Sequence, residues 1–268
     1  MASGELATKC RLGQALTGEL VIDCHAHLGP WFNFSIPHSD ARGMVETMDR
    51  LGIGTCLSSP HLAIGPGYRE GNRLVMAAAD EFPGRITPYV TINPNYPEAE
   101  VRQEIEHWHQ LGRIRAFKIH PACHSYKVDG PGYGPMFEYA REHSTPVLSH
   151  SWAGDSHAGA SLLSHLSGQM PNVAFLIGHA ASSWGMIDEA CEEAKKRDNV
   201  YLDLTGSQLL YHALETMVSR VGSEKILFGS DLPFIDPTPA LGRVLLSRLS
   251  DADKRQILGL NAKGIFGL

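Results

Sequence analysis

A chain of 268 residues, 43% apolar and 19% charged, can bury a sizeable core and is not a disordered segment. Its length suits one large barrel domain or two small domains. A formal net charge of -6, with no basic run beyond Lys195-Lys196-Arg197, excludes a dedicated nucleic-acid binder.

Short apolar runs recur along the chain and read as strands at Leu20–Asp23, Ile53–Ser58, Ile86–Ile92, Arg115–Ile119, Pro146–Ser149, Val173–Gly178, Val200–Leu204 and Ile226–Gly229. Helical patterns lie between them. Met44, Met48 and Leu51 share one face, and Val101, Ile105, Trp108 and Leu111 share another that opens at Pro97 and closes at Gly112. Further helices carry Leu162, Leu163, Leu166 and Met170, then Leu209, Leu210, Ala213, Met217 and Val218. A helix ending near Lys195-Lys196-Arg197 places those cations where they complement its dipole. Helices near Leu241–Leu249 and Asp253–Leu260 close the chain.

Eight strands alternating with helices predict a parallel sheet, and unbroken apolar strands predict helices covering the outer face. The expected fold class is therefore α/β, a single (β/α)8 TIM barrel over residues 20–268, preceded by a leader at 1–19. Residues 1–19 carry no signal-peptide h-region, and no segment approaches the length of a membrane span. Five scattered cysteines without a Cys-x-x-Cys pair fit neither a disulfide framework nor a zinc knuckle. These features predict a cytoplasmic protein acting on a small molecule, without nucleic-acid or membrane partners, and with a homodimer as candidate assembly.

Barrels of this kind carry their chemistry at the C-terminal ends of the strands. Strand one ends in Asp23, His25 and His27, which alternation places on one face. Strand four ends in Lys118 and His120, strand five in His150, strand six in His179, strand seven in Asp203 and strand eight in Asp231. One such histidine is an ordinary rim residue with a backbone partner. Their joint placement predicts a metal or acid–base site. The second His-x-His, His107-Trp-His109, lies in a helical pattern where positions two apart diverge, and reads as solvent-facing or packing.

The blocks Val21-Ile-Asp-Cys-His-Ala-His27, Gly112 to Pro121, Pro146-Val-Leu-Ser-His150, Gly178-His-Ala180, Tyr201-Leu-Asp203 and Phe228-Gly-Ser-Asp-Leu-Pro233 occur in an order and spacing that resemble the amidohydrolase superfamily. The resemblance is to its branch related to aminocarboxymuconate-semialdehyde decarboxylase and covers nearly the whole chain. It implies metal ligands at His25, His27, His150 and Asp231, with Asp231 also serving the nucleophilic water. It implies that His179 is an acid–base or substrate-polarising group. Lys118 matches a strand-four lysine that bridges two metals as a carbamate in binuclear relatives. A single metal is more usual in this branch, which leaves Lys118 an unmodified ammonium facing the substrate. Ser151-Trp152 and the aromatic loop Trp31 to Asp40 depart from the family's pattern, so no substrate carries over.

Neutral imidazoles with one carboxylate suit Zn²⁺ first and Mn²⁺ second. The expected activity is a metal-dependent hydrolase, with metal-activated water attacking a small amide, lactone or ester. The alternative is a non-oxidative decarboxylase (carboxy-lyase) or hydratase of an unsaturated acid on the same residues. A Schiff base on Lys118 leaves the histidine array without a role and ranks last, beside a silent metal-binding module. Asp203 and Asp23 are candidates for orienting a ligand. His120 and His124, and Arg69, Arg113 and Arg115, are candidates for touching substrate, and Trp31 and Trp152 for walling the pocket.

Overall fold

The computed structural model of the protein describes residues 4–208 and 210–268. Its strands are β1 (Ile22–Leu28), β2 (Thr55–Pro60), β3 (Ile86–Pro88), β4 (Phe117–Ile119), β5 (Val147–Ser149), β6 (Phe175–Ile177), β7 (Val200–Asp203) and β8 (Ile226–Leu227). All pair in parallel, in the orders β1-β2-β3 and β4-β5-β6-β7-β8. Single bridges link the two groups, Val90 with Phe117 and Ala26 with Leu232. The fold is the TIM barrel that the alternating pattern predicts. β3 ends at Pro88, short of the expected Ile92: Pro88 has no N–H for the ladder, and beyond it Tyr89 N–H still reaches the Ser58 carbonyl at 2.9 Å while Val90 bridges to Phe117 on the other side.

Strand side chains divide into two apolar layers. Phe117, Val147, Phe175, Val200 and Ile226 pack outward with the helices, while Leu57, Leu148, Leu176 and Leu227 form a second cluster with Ile22 and Cys24. Ala262 and Phe266, from the last helix, join that second cluster. This inner layer leaves the opposite end of the barrel for polar groups.

The expected helices form at Ala41–Leu51, Glu98–Gln110, Ala160–Gln169 and Trp184–Lys196. Asp40 caps the first, its carboxylate accepting from Gly43 N–H at 2.7 Å, and Gly52 closes it with φ 79°. The helix expected from Leu209 forms at Ala213–Val221. His212 at φ 59° interrupts the backbone before it, Leu210 precedes it, and Leu209 lies outside the described residues. The C-terminal helices are Pro237–Leu245 and the run from Asp251 to Phe266, which contains a π turn at Gln256–Leu260. Within that turn the Ile257 carbonyl accepts from Phe228 N–H just after β8. Ahead of β1, a helix Glu5–Arg11 buries Leu6 and Ala7, and the Asp251 carboxylate accepts from Glu5 N–H at 2.7 Å. No helix among the described residues is long and apolar enough to cross a membrane.

Candidate metal centre and its pocket

The pairing of β1 with β2 slips by one residue between Asp23 and Ala26. Before this bulge Ile22 and Cys24 belong to the inner cluster; after it Ala26 and Leu28 belong to the outer one. The inserted residue therefore turns both His25 and His27 inward. Asp23, expected beside them, falls on the other side of the bulge. Its carboxylate accepts from the backbone N–H of His25 and of Ser230, each at 3.1 Å, and from the Ser230 hydroxyl. Asp23 thus ties β1 to the segment after β8 instead of orienting a ligand's ring.

That segment carries Asp231, which has a positive φ of 64°, as does His179 with 57° after β6. Left-handed backbone at non-glycine residues costs on the order of 1–3 kcal/mol and concentrates at functional sites. Asp231 N–H donates to the His25 carbonyl at 2.8 Å, which fixes its carboxylate over β1. Asp231 Oδ1 lies 3.4 Å from His25 Nε2 and 3.3 Å from His27 Nε2, and Oδ2 lies 3.9 Å from His179 Nδ1. Atoms of His25, His179 and Asp231 all fall within 4.8 Å of one another. The His150 ring sits one step outward, 4.4 Å from that of His179 and stacked on His120 at 3.7 Å.

Asp203 orients His25: its Oδ2 lies 2.6 Å from Nδ1 of the imidazole. Thr205 donates to Oδ1 of the same carboxylate, from N–H at 3.1 Å and from its hydroxyl at 2.7 Å. Gly229 makes room for this cluster, because a Cβ there would stand 2.2 Å from Asp203 Oδ1 and 2.1 Å from Thr205 Oγ1. With Nδ1–H given to a carboxylate, Nε2 of His25 carries the ring's lone pair, which accepts from Lys118 in this structure and would be the donor atom to a bound cation. Lys118 Nζ lies 2.6 Å from that Nε2 and is fully buried.

The electrostatics suit a cation. Burial holds the His25, His150 and His179 imidazoles well below their ordinary range, and His27 down to about 3. Burial also draws Lys118 down to about 8 and lifts Asp231 to about 7 against the pull of the Lys118 charge. Asp231 Oδ1 and His179 Nδ1 are buried without a hydrogen-bond partner among the described residues. Neutral imidazoles converging on an unpaired carboxylate oxygen are the donor set that a borderline divalent ion takes.

Above the cluster lies a cavity of about 200 Å³ bounded by His27, His61, His120, His150, His179 and Asp231, with Trp31, Ile64, Trp152, Phe234 and Ile235 as apolar walls. Trp31 and Trp152 thus wall the pocket. His120 borders it too, its Nδ1 accepting from Cys123 N–H at 3.2 Å. His124 instead bonds Tyr133 through Nδ1 at 2.7 Å, away from the cavity. The three arginines also lie elsewhere. Arg69 pairs with Glu100, Arg113 pairs with Asp80, and Arg115 donates to the carbonyls of Phe266 and Gly267. His61 and Phe234 join the pocket without any motif to mark them in the sequence. The one signal for His61 is a polar residue directly after the C-terminal end of β2.

The sequence matches the Amidohydrolase family over residues 22–268. No curated protein matches it. Among solved structures, 5-carboxyvanillate decarboxylase of Novosphingobium aromaticivorans, determined with manganese, superposes with a TM-score of 0.71 at 14% identity, covering 100% of this chain and 98% of its own. Dihydroxybenzoic acid decarboxylase of Polaromonas, with manganese and 2-nitroresorcinol, gives 0.71 at 16% identity over 94% and 98% of the chains. 4-Oxalomesaconate hydratase of Rhodopseudomonas palustris gives 0.69 at 16% identity over 92% and 96%. At such identities these superpositions speak for the fold, and the family match covers nearly the whole chain: the protein belongs to the amidohydrolase family.

Proposed function

We propose that the protein is a metal-dependent, non-oxidative decarboxylase of a small planar carboxylic acid. The observation that carries this reading is the aromatic-walled cavity of about 200 Å³ set directly over the His/His/Asp cluster. A cavity of about 150 Å³ holds benzene, so this one holds a single ring with its substituents and no second ring. Decarboxylation, ranked second to hydrolysis on sequence, moves first. Two of the similar structures are named as decarboxylases and one as a hydratase, which supports a carboxy-lyase on this scaffold.

His25, His27, His150 and Asp231 would hold the ion, with manganese favoured by its presence in two of the similar structures and zinc as the rival. Bound there, the ion supplies a Lewis acid that fixes the substrate's carboxylate end. Trp31, Trp152 and Phe234 orient the ring and exclude water. A proton is delivered to the carbon bearing the carboxylate, the C–C bond breaks leaving its electrons on that carbon, and CO₂ departs. In this reading His179 takes that proton from solvent water and passes it on, with Asp231 Oδ2 3.9 Å from its Nδ1 to stabilise the passing charge. Lys118 stays an ammonium and offsets negative charge beneath the ring.

The test is CO₂ release from a panel of hydroxybenzoates and unsaturated acids by protein loaded with Mn²⁺ or Zn²⁺, run beside lactones, esters and acyl amides. Turnover of the acids with loss of CO₂ is expected. Hydrolysis of the second set alone would refute the reading, and a mass gain of one water on an unsaturated acid would replace it with a hydratase.

A further inference from the structure

His61 stands at the first position after β2, 4% exposed, with its ring on the cavity wall. It stacks on His27 with ring centres 4.8 Å apart, and Trp31 and Phe234 pack against it at 5.2 and 5.6 Å. Its Nδ1 lies 2.7 Å from the Gly29 carbonyl. A carbonyl only accepts, so Nδ1 carries the ring proton and the neutral ring keeps its lone pair on Nε2. Nε2 is itself buried and has no hydrogen-bond partner among the described residues. A phenylalanine would supply the same stacking without a buried, unmet acceptor. In native proteins such an atom is rare and calls for a partner.

We propose that His61 determines specificity by accepting, at Nε2, a hydrogen bond from a hydroxyl group on the substrate ring. The inference rests on the reading of the pocket as a site for a small ring acid, and it narrows that class to acids bearing a donor on the face turned to β2. Trp31, Ile64 and Phe234 beside it offer no acceptor, and His27 and Asp231 would be taken up by the ion, so on this wall a hydroxyl meets Nε2 and a methyl group meets no partner. Sites that hydrogen-bond a substrate hydroxyl reject the analogue lacking it because their own polar atom is then left unpaired.

The experiment compares binding of 2-, 3- and 4-hydroxybenzoate with the methylbenzoate of the same position, a near-isosteric probe that donates nothing. Binding is followed by titration calorimetry on the metal-loaded and the metal-free protein. The wild type should prefer the hydroxyl at one or more positions by on the order of tenfold to a hundredfold, the worth of a hydrogen bond to a buried acceptor. His61→Phe should collapse that preference to within about twofold, and His61→Gln, whose amide oxygen reaches the place of Nε2, should restore part of it. Should His61→Phe not fold, His61→Leu is the second acceptor-free variant. A wild-type preference that survives in the acceptor-free variant, or no preference in the wild type at any position, overturns the proposal. If the preference depends on His61 while no acid is decarboxylated, the reaction assignment fails and this one stands. CO₂ release without a His61-dependent preference overturns the role of His61 and leaves the reaction assignment standing.

Discussion

Asp203→Asn tests the metal centre at one remove from its ligands. The carboxylate accepts from His25 Nδ1 at 2.6 Å and from two Thr205 donors on its other oxygen. In the asparagine variant the Thr205 N–H, 3.1 Å from Oδ1, holds the amide oxygen on its own side against the weaker pull of the His179 backbone N–H, 3.4 Å from Oδ2. The amide NH₂ then faces His25, and Nδ1 must become the acceptor. That moves the ring proton to Nε2, the atom that lies 3.4 Å from Asp231, and removes the lone pair a metal needs. Loss of a charge-assisted hydrogen bond is worth about 1.5–3 kcal/mol. Loss of a metal ligand's orienting partner lowers metal affinity roughly 10–100-fold, which is about 1.4–2.8 kcal/mol and agrees with the first figure. Competition against a chromophoric chelator reads the affinity, and nitrogen NMR of the imidazoles reads the tautomer. An affinity within about twofold of wild type, with the proton still on Nδ1, would refute the reasoning.

Other consequences follow from the same geometry. His25→Ala and Asp231→Ala should each leave the protein with well under one metal per chain by elemental analysis, since each removes a converging donor; full occupancy in both would remove them from the ligand set. His179→Asn should keep its metal and lose on the order of 10²–10⁴ in kcat. A metal-free His179→Asn protein would make His179 the ligand that its place within 4.8 Å of His25 and Asp231 also allows. Glu19, held at about 2 by its bond to Arg255, takes no part in this chemistry. Its folded value is below the ordinary 4.5, so its contribution is complete above 4.5 and lost as pH falls through about 2. Glu19→Gln should flatten the stability profile in that window, and unchanged acid denaturation curves would count against the pairing.

Much of this was legible in the sequence because strand ends are readable from apolar runs, and His25, His27, Lys118, His150, His179 and Asp231 all lie at or shortly after such ends. What stayed hidden depends on neighbours in space. The bulge between Asp23 and Ala26 is a property of the β1–β2 pairing, and simple alternation put Asp23 on the wrong face. The role of Asp203 depends on the missing Cβ of Gly229, a contact between the end of β7 and the segment after β8. His61 has no spaced partner to draw the eye, and Ser59-Pro60 before it reads as the end of a strand and nothing more. The order of the two reactions was beyond reach because the same histidines and aspartate serve both. The pocket's size and walls, which bear on that choice, come from loops far apart along the chain, such as those bearing Trp31, Trp152 and Phe234.

The charges within this site also bear on how many ions and what kind of substrate it takes. Asp203 is fully buried and its charge is committed to His25 and Thr205. Asp23 spends its carboxylate on the backbone N–H groups of His25 and Ser230 and on the Ser230 hydroxyl, across the bulge from the cluster. The converging histidines are neutral, which leaves Lys118 as the fixed cation and Asp203 and Asp231 as the carboxylates. One divalent ion therefore leaves a single net positive charge at the barrel's mouth, and one substrate carboxylate neutralises it. Two divalent ions would leave three, in a place where uncompensated charge is costly. On this charge balance the proposed decarboxylase takes one metal with a monoanionic acid, and two metals with a neutral ester or amide would leave the site's charge unmatched.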